Sequence, residues 1–472
     1  MTGTAIVIGA GIGGLATAKA LRDKGWHVEI LERSTHSTAL GSGLSIAPNA
    51  VHALRRLGLD SAFFGKGRRL DGLEARLHSG TRVMRVDSAA LTTKYGEGLY
   101  AVERAELHRL LLESIEDVPL HLGRRVIGVA TDGPRAAATA DRRGQQGGQG
   151  DHMNELPHAS AALSQDSISA IRDDAHAPLH DNSHSGTASD NRHVTPTSGG
   201  TRAVVTVDHP DGPYALRADL VVVADGVHSR LRQALFPDHP GARYAGYAAW
   251  RGIVAASAAA PLAVRPVLAE TWGSGMRVGV MPLRDGRVYW YAFDTAPESD
   301  LPAPDPEALA ARCASWPDPI PALLAATAPA STLVRPVHYL AHGLPSFVRG
   351  PIALVGDAAH AVTPDVGQGA CLALEDAVVL AAAVTDYGVP NGLRAYDTQR
   401  RPRTERIAQT SGRMGRALQG STPAAARLRD IAARLTPDAL NARFANSLYD
   451  WTPPTAGVTA GWQAEPEARQ PH

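Results

Sequence analysis

Apolar residues in the first seventy positions follow the periods of strands and helices in turn. Thr4–Ile8 and residues 27–31 are short apolar runs that predict buried strands, and residues 13–24 between them predict a helix. Pro48 begins another predicted helix, which runs to about residue 57, because a proline costs no hydrogen bond in the first helical turn. Strands that alternate with helices predict a parallel α/β sheet at the start of the chain.

A second strand-rich region follows later in the chain. The fully apolar run Leu220–Val223 predicts a central strand that is covered on both faces. Residues 244–293 are dense in strand-forming and aromatic residues, and Asp285-Gly286 between two such runs predicts a hairpin. This region predicts an antiparallel sheet, and hence a second domain inserted into the first. A strand at 352–355 and a long alanine-rich helix to about residue 384 then return to the first domain.

Residues 134–201 differ in composition from the rest of the chain. They are rich in Gly, Gln, Ser, Asp, Asn and His, show no periodic apolar pattern and contain six of the 19 histidines. A histidine-rich tract can bind metal, but these spacings are irregular and offer no fixed set of ligands. We therefore interpret the segment as a low-complexity, disordered insertion and expect no metal site.

Charge and cysteine content narrow the class of protein. The 472 residues contain 47 basic and 47 acidic side chains, so the sum shows neither the basic excess of a nucleic-acid binder nor the basic face of a membrane-surface protein. No run approaches the roughly 20 apolar residues of a membrane helix. Two cysteines cannot form a disulfide framework. We expect a cytoplasmic protein with no nucleic-acid or membrane partner.

The strongest local motif lies between the first strand and the first helix. Residues 9–14 read Gly-Ala-Gly-Ile-Gly-Gly, and Glu32 stands at the end of the next strand. Gly9 permits a tight turn, Gly11 lets the backbone approach a pyrophosphate, and Gly14 allows close packing of helix on strand. The helix N-terminus offers free N–H groups to phosphate, and Glu32 can accept hydrogen bonds from a ribose diol. This combination predicts dinucleotide binding.

Two distant segments add a second part to the predicted cofactor site. Asp225-Gly226 follows the apolar strand at 220–223, and Gly356-Asp357 follows the strand at 352–355. Ligands of open α/β sheets bind at such carboxyl ends of strands. Gly367-Gln368-Gly369 begins the following helix and offers further backbone donors. Together these segments predict an extended cofactor that spans the domain.

These three motifs, in this order, resemble the fingerprints of the single-component FAD-dependent aromatic hydroxylases, the group of p-hydroxybenzoate and salicylate hydroxylases. The resemblance implies an α/β fold with a discontinuous Rossmann-like FAD-binding domain, an inserted antiparallel-sheet substrate domain and C-terminal helices. We expect the FAD-binding domain at 1–72, 99–133, 202–238 and 346–395, and the substrate domain at 73–98 and 239–345. Residues 396–472 are then C-terminal helices and tail.

The resemblance also implies which residues hold the cofactor. Glu32 and Arg33 would meet the adenosine ribose, Val126 the adenine side, and Arg104 the pyrophosphate. Asp225 would touch both FAD and the reduced pyridine nucleotide, NADH or NADPH. The implied FAD-binding residues are Gly9, Gly11, Gly13, Gly14, Glu32, Arg33, Ser45, Arg104, Val126, Asp225, Asp357, Gly367, Gln368, Gly369, Ala370 and Cys371.

Closer similarity to the urate hydroxylase-like branch points to substrate residues. Arg277 and Tyr289 fall where that branch has an arginine and a tyrosine beside the substrate, and a guanidinium can hold an anionic ring while a phenol orients or deprotonates a hydroxyl. Plain sheet packing is the alternative for Tyr289. Ala249 stands where the branch has a substrate-contacting asparagine, which argues against urate and for a more apolar pocket.

The resemblance implies a hydroxylation in which NAD(P)H reduces FAD and O2 gives a flavin C4a-hydroperoxide that an electron-rich aromatic ring attacks. Pro364 and backbone N–H groups near Gly367 would stabilise the leaving oxygen. We expect His360 to be a packed or surface residue and Cys371 a small helix residue. An epoxidase of polyenes and a non-catalytic FAD-binding protein are the alternatives. We expect a monomer or a homodimer.

Overall fold

The fold described here is that of a computed structural model, and it covers residues 3–35, 42–132, 201–420 and 422–454. Except for residue 201, the predicted insertion at 134–201 lies outside the described residues. The strands are β1 Thr4–Ile8, β2 His27–Glu32, β3 Gly43–Ile46, β4 Arg68–Leu70, β5 Gly72–Leu77, β6 Arg82–Asp87, β7 Leu99–Glu103, β8 Leu120–Leu122, β9 Arg125–Thr131, β10 Ala203–Asp208, β11 Tyr214–Ala218, β12 Leu220–Val223, β13 Arg243–Val254, β14 Val267–Trp272, β15 Met276–Pro282, β16 Val288–Thr295, β17 Thr332–Tyr339, β18 Val348–Arg349 and β19 Ile352–Leu354.

The helices of the described residues lie mostly between strands in the first half of the chain and follow one another at its end. They are α1 Ile12–Asp23, α2 Pro48–Arg56, α3 Asp60–Lys66, α4 Ser88–Tyr95, α5 Arg104–Glu113, α6 Arg230–Leu235, α7 Ala256–Ala259, α8 Pro306–Arg312, α9 Ile320–Ala325, α10 Asp357–His360, α11 Gly369–Leu418, α12 Pro423–Leu435 and α13 Asp438–Tyr449. None of them combines the length and the apolar content that crossing a bilayer requires.

A six-stranded sheet carries the predicted cofactor motifs. Its order is β18-β19-β12-β1-β2-β8, and β1 pairs in parallel with both β12 and β2. Every residue of β12 is buried, because helix α1 packs on this sheet and the three-stranded sheet β11-β10-β9 also packs against β1, β2 and β12. The carboxyl ends of β1, β12 and β19 therefore lie side by side. The glycine loop, the Asp225-Gly226 segment and the Gly356-Asp357 segment follow these three strands.

A seven-stranded sheet, of order β17-β13-β16-β15-β14-β5-β6, forms the second layer. The turn at Asp285-Gly286 joins β15 to β16 as the sequence predicts. The sheet is antiparallel as predicted at every pairing except one, where β5 pairs in parallel with β14. The β5–β6 hairpin comes from the first hundred residues and joins the edge of the sheet after Asp71, whose N–H donates to the Pro266 carbonyl at 2.7 Å.

Strand alternation gives this sheet two different faces. Trp290 and its neighbours on one face pack against helices α8 and α9 in an apolar cluster. The opposite face carries Arg277, Tyr289 and Phe293, which alternate with the residues of that cluster. We call this opposite face the aromatic face. It meets the strand β3 and the segment after His360, both of which belong to the cofactor side.

The last long helical segment consists of two helices that meet at a kink. We predicted a helix to about residue 384 and a mostly helical tail after residue 391, and α11 runs to Leu418 with non-helical backbone at Gly388, where φ is 73°. Gly392 packs directly against the backbone of Ala383 and Val384, so its lack of a side chain lets the chain fold back closely after the interruption. The second half of α11 then reaches the aromatic face, where Ser411 bonds to Thr363 at 2.7 Å.

Candidate active site

The glycine loop at the end of β1 is built for close backbone approach. Gly9 has φ +107°, and a Cβ on it would lie 2.5 Å from the Ala224 carbonyl oxygen. A Cβ on Gly14 would clash with the Gly9 carbonyl. A Cβ on Gly11 would meet nothing within 4 Å, so protein packing does not require this glycine. Gly11 leaves a recess at the N-terminus of α1, which is where a pyrophosphate binds in this motif.

Glu32 is fixed beside this loop at the end of β2. Its carboxylate accepts the N–H of Ala10 at 2.8 Å and the N–H of Ser34 at 2.8 Å, which leaves further lone pairs for a ribose diol. Arg33 is exposed beside it, and Val126 of β9 is half-buried. His108 of α5 also contacts the loop, since its Nε2 lies 2.7 Å from the Ala10 carbonyl oxygen. His108 was not predicted from the sequence as a residue of this loop, because a single histidine on a helix is part of no motif.

Arg104 lies at the N-terminus of α5, opposite Asp357 at the end of β19. Its side chain is accessible to solvent and forms no ion pair within the described ranges. Desolvation lowers the pKa of this guanidinium, the Asp357 charge raises it, and the Arg251 charge lowers it, for a net decrease. An exposed guanidinium at the N-terminus of a helix is a favourable position for an anion. Arg251 was not predicted from the sequence as a cofactor residue, although a charged residue within an apolar strand is a signal that could have identified it.

Asp225 ends the neighbouring strand with one unsatisfied oxygen. Its Oδ1 is buried and has no hydrogen-bond partner among the described residues, and desolvation raises the pKa of the carboxyl. Arg232 holds the segment in place, because it donates to the Val227 carbonyl at 2.7 Å and to the Ala358 carbonyl at 3.1 Å. The two predicted cofactor segments are therefore joined by one buried arginine.

The loop at 363–369 meets the strand that carries Ser45. Gly367 has φ +63°, and a Cβ on it would lie 2.9 Å from the Ser45 Oγ. Cys371 lies behind the loop with its Sγ 3.9 Å from the Ser45 carbonyl oxygen. Burial raises the pKa of this thiol to about 12, so it is an uncharged packing residue. Gly369 and Ala370 begin α11.

A buried network of charges supports this loop from below. Glu375 accepts hydrogen bonds from Arg403 at 2.7 Å and from Asn49 at 2.6 Å, and Asn49 also donates to Gln368 at 2.9 Å. Asp376 accepts from Arg400 at 2.7 Å and from the Gly356 N–H at 2.8 Å. These hydrogen bonds connect both cofactor segments to one buried charge network. This network was not predicted from the sequence, because the paired acidic and basic side chains lie on distant turns of one long helix.

His360 belongs to the same buried charge network. Its Nε2 lies 2.6 Å from Asp376 Oδ2, and the side chain is buried. The prediction of a packed histidine agrees with this position. A ring held by a buried carboxylate has no free access to a substrate, so we assign His360 no role as a base.

Arg277 lies on the aromatic face, fully buried, between two carboxylates. One Nη donates to Asp365 and the other to Glu270 at 3.3 Å, while the guanidinium carbon lies 4.5 Å from the centre of the Phe293 ring. Tyr247 donates its hydroxyl to Asp365 at 2.9 Å. We predicted that Arg277 holds an anionic ring, but its charge is already matched by the two carboxylates. Its contacts instead fix the loop that contains Pro364.

Tyr289 lies on the neighbouring strand β16, four residues from Phe293, which pairs with Arg277. Its ring packs against Gly43 of β3, at a place where any side chain larger than glycine would overlap it. Burial raises the pKa of the Tyr289 hydroxyl, and the Arg251 charge only partly offsets this. A neutral phenol here can donate a hydrogen bond but does not serve as a base near neutral pH. Of the two predicted roles, orientation of a hydroxyl therefore fits and deprotonation does not.

Pro364 begins a short 3-10 turn, Pro364–Val366, between the two layers. Asp365 in this turn is held by Arg277 and Tyr247 from the sheet, and it packs against Gly415 of α11. Ala249 is buried on the same face beside Tyr247 and Phe293 and adds no polar atom. The arrangement places a cofactor loop directly against an aromatic, largely apolar sheet face.

The residues of the cofactor cleft fit FAD. Gly11 leaves room at a helix N-terminus, Glu32 beside it has lone pairs left for a ribose, and the exposed Arg104 forms no ion pair among the described residues. These are the donors and acceptors that an extended dinucleotide requires along one sheet edge. The fold and the site together define a flavin-binding hydroxylase fold.

Comparison with protein families agrees with this class. The family described as "FAD binding domain" matches residues 2–153 and 179–411, so the chain belongs to this family. Three relatives of known activity are similar along most of the chain. The aurachin C monooxygenase/isomerase of Stigmatella aurantiaca is 30% identical over 94% of this chain and 97% of its own length. An FAD-dependent urate hydroxylase of Klebsiella pneumoniae is 31% identical over 84% of this chain and 85% of its own length.

The third relative is the 2-heptyl-3-hydroxy-4(1H)-quinolone synthase of Pseudomonas aeruginosa, which is 29% identical over 94% of this chain and 97% of its own length. Among solved structures, Klebsiella pneumoniae HpxO in complex with FAD and uric acid matches with a TM-score of 0.70 and 28% identity. The match covers 95% of this chain and 96% of that one. The predicted fold class and the resemblance to flavin hydroxylases are confirmed, and the protein is an FAD-dependent hydroxylating monooxygenase.

Proposed function

We propose that this enzyme hydroxylates an aromatic or heteroaromatic small molecule with O2, using NADH or NADPH to reduce its FAD. One observation carries the proposal, namely that the turn Pro364–Val366 of the cofactor side is bonded directly to the aromatic face through Tyr247 and Arg277. A ring between the two layers lies next to the cofactor and is shielded from water. The relatives that are hydroxylases of heteroaromatic rings support the reaction class.

Bound FAD would supply the redox chemistry and the activation of O2. In this chain, Arg104 and Arg251 would hold the pyrophosphate, Glu32 would hold a ribose, and the Gly367 and Gln368 backbone would contact the ring end. Gly9, Gly13 and Gly14 shape the turn, and Asp225 and Asp357 offer acceptors for hydroxyl groups. Arg33 and Val126 would meet the adenosine, and Ser45, Gly369, Ala370 and Cys371 support the loop.

The chain's own residues have three tasks towards the substrate. The aromatic face excludes water and stacks against the ring. Tyr289 donates a hydrogen bond from its neutral hydroxyl, since burial keeps it protonated. Pro364 has no N–H of its own, but its carbonyl accepts the Gly367 N–H at 3.0 Å and so fixes the turn, and backbone N–H groups that follow Gly367 would stabilise negative charge on the oxygen that leaves. We expect the reaction to proceed in a monomer or a homodimer in the cytoplasm.

Reduced-nicotinamide oxidation by the purified holoenzyme tests this function. We expect at least one uncharged or weakly acidic aromatic ring to accelerate oxidation about tenfold or more, with a product heavier by one oxygen atom. A polyene that accelerates oxidation and gains an oxygen would indicate the epoxidase instead. A holoenzyme that no ring and no polyene stimulates would be a non-catalytic FAD-binding protein, and the proposal would be wrong.

A further inference from the structure

The helix α12 presents its large apolar side chains to solvent. Six large apolar side chains are exposed in the part of the chain that the structure describes, and four of them lie on α12 and on the first turn of α13. These four are Leu428, Ile431, Leu435 and Leu440, whose exposed fractions are 71%, 55%, 75% and 52%. Single exposed leucines are ordinary, whereas a concentration of them marks a contact surface. We call these four side chains the apolar patch.

The spacing of these residues places three of them on one side of α12. Leu428, Ile431 and Leu435 are three and four residues apart, so they form a single stripe along the helix. The small side chains of Ala426 and Ala433 lie on the other side and are half-buried. The usual order of an amphipathic helix is therefore reversed here, because the larger apolar residues face away from the protein.

Arg429 fixes α12 in this orientation from its inner side. Its side chain is buried and donates hydrogen bonds to the carbonyl oxygens of Gly273 at 2.8 Å and of Leu418 at 3.0 Å. The guanidinium carbon also lies 5.8 Å from the centre of the Trp272 ring. A rotation of α12 that buried the apolar stripe would break these contacts. The outward position of the stripe is therefore a property of the folded protein.

Exposed arginines flank the apolar patch, although the charges of the whole chain sum to zero. Arg427, Arg434 and Arg443 are exposed and form no ion pair among the described residues. Arg427 and Arg434 are seven residues apart, so both lie along the same edge of the stripe. The nearby Asp430 is neutralised by Arg429, which donates to it at 2.6 Å. This surface is therefore apolar along its middle and basic at its edge, and it complements an anionic partner.

The charges and the shape of the patch favour a lipid surface over a second copy of the chain. Two α12 helices packed antiparallel on this stripe would bring Arg427 of one copy towards Arg434 of the other, and like charges repel. Anionic lipid headgroups attract the same arginines. Leu428 and Leu435 are more than two-thirds exposed, so they protrude far enough to enter the acyl region while the arginines beside them stay with the headgroups.

We propose that α12 and the first turn of α13 dock the protein on an anionic lipid surface. The apolar patch enters the acyl region, and Arg427, Arg434 and Arg443 contact the headgroups. The helix lies on the surface and does not cross it, because its inner side stays bonded to the seven-stranded sheet through Arg429. The sequence analysis expected no membrane partner from the charge of the whole chain, whereas the local distribution of charge and apolar area indicates one. The docking surface is independent of the proposed reaction.

Flotation of the FAD-loaded protein with lipid vesicles tests the docking directly. Vesicles of phosphatidylcholine alone are compared with vesicles of phosphatidylcholine and phosphatidylglycerol in equal amounts, at low and at high salt. We expect most of the protein to float with the anionic vesicles at low salt. The partition coefficient should fall at least about tenfold on the neutral vesicles or at high salt, because the attraction between the arginines and the anionic headgroups is removed or screened.

A matched set of variants locates the contact. Leu428→Ser combined with Leu435→Ser should lower partitioning at least about tenfold, because two apolar side chains no longer enter the bilayer. Arg427→Gln combined with Arg434→Gln should lower it roughly fivefold for each arginine on anionic vesicles and leave neutral vesicles unaffected. Leu122→Ser, at an exposed leucine of the six-stranded sheet, is the control and should float like the parent protein. Circular dichroism and FAD content confirm that the variants fold.

Lack of flotation of the parent protein with anionic vesicles would overturn the proposal, and so would an equal loss in the Leu122→Ser variant. A leucine double variant that floats like the parent but sediments as a monomer where the parent is a dimer would show that the patch is an interface between two copies. Reduced-nicotinamide oxidation by the same samples without lipid separates the two proposals, since an active enzyme that does not float contradicts only the docking.

Discussion

Arg277 of β15 and Asp365, the residue after Pro364, form an ion pair in which neither side chain is exposed to solvent. The pair joins the seven-stranded sheet to the turn of the cofactor side. Tyr247 completes it with a hydrogen bond of 2.9 Å to the other oxygen of Asp365. The position of the aromatic face relative to the turn Pro364–Val366 therefore depends on the buried Asp365 carboxylate and its partners.

Replacing Arg277 with Met should destabilise the protein strongly. The change leaves Asp365 and Glu270 buried without their cation, and breaking a buried pair in this way costs about 3–5 kcal/mol. The double variant Arg277→Met, Asp365→Asn should recover a large part of the loss. Urea unfolding of the three proteins measures both effects. A stable Arg277→Met variant that only binds anionic rings less well would show instead that Arg277 is a substrate ligand.

Replacing Glu270 with Gln should change the ligand preference without breaking the cluster. The amide oxygen can still accept from Trp272 and Arg277, which both donate to Glu270 Oε1. The amide NH2 takes the place of Oε2 and donates to the Tyr291 hydroxyl, which reverses that hydrogen bond, and one negative charge is removed. We expect roughly a tenfold tighter binding of a carboxylate-bearing ring and little change for an uncharged ring. Titration of both ligands into parent and variant measures this. Equal affinities before and after the change would contradict the charge argument.

Replacing Arg104 with Met should weaken FAD binding roughly 10- to 100-fold, because a charge-assisted contact to phosphate is lost. Arg109 on the same helix pairs with Glu106 at 2.7 Å, away from the cleft, so Arg109→Met is the matched control. Apoprotein titrated with FAD and followed by flavin fluorescence gives both dissociation constants. If the two variants lose the same affinity, Arg104 has no special position towards the cofactor.

Both thiols should be inert in the folded protein near neutral pH. Burial raises the pKa of Cys313 to about 11 and that of Cys371 to about 12. Thiolate is the reactive form, so at pH 8 fewer than about one thiol in a thousand is ionised, and the rate should rise with pH. An aromatic disulfide reagent should label neither cysteine before unfolding and both after it. Rapid labelling of native protein at pH 8 would contradict the described burial.

The sequence predicts the parts of this molecule that are determined by local sequence patterns. The glycine loop is predictable because Gly9 and Gly14 must lack side chains for backbone to meet backbone. Asp225 and Asp357 are predictable because each follows an apolar strand that belongs in a parallel sheet. Strand and helix ends mostly lie within two residues of their predicted positions.

Contacts between distant segments could not be predicted in this way. Arg277 carries the same sequence signal whether it faces a substrate or the carboxylates of Glu270 and Asp365, and only the register of β14 and β15 distinguishes the two. Arg251 was missed because one arginine in an apolar strand gives no motif. The buried charge network could not be predicted either, because α11 must fold back after Gly388 to bring its members together. These members are Glu375, Asp376, Arg400 and Arg403.

The measurement that bears on the hydroxylase function itself is oxidation of NADH or NADPH by the FAD-loaded protein, with and without an uncharged or weakly acidic aromatic ring, coupled to product mass. We predict that the ring accelerates oxidation about tenfold or more and gains one oxygen atom. Oxidation that no aromatic ring accelerates, in a protein that retains its FAD, would contradict the assignment.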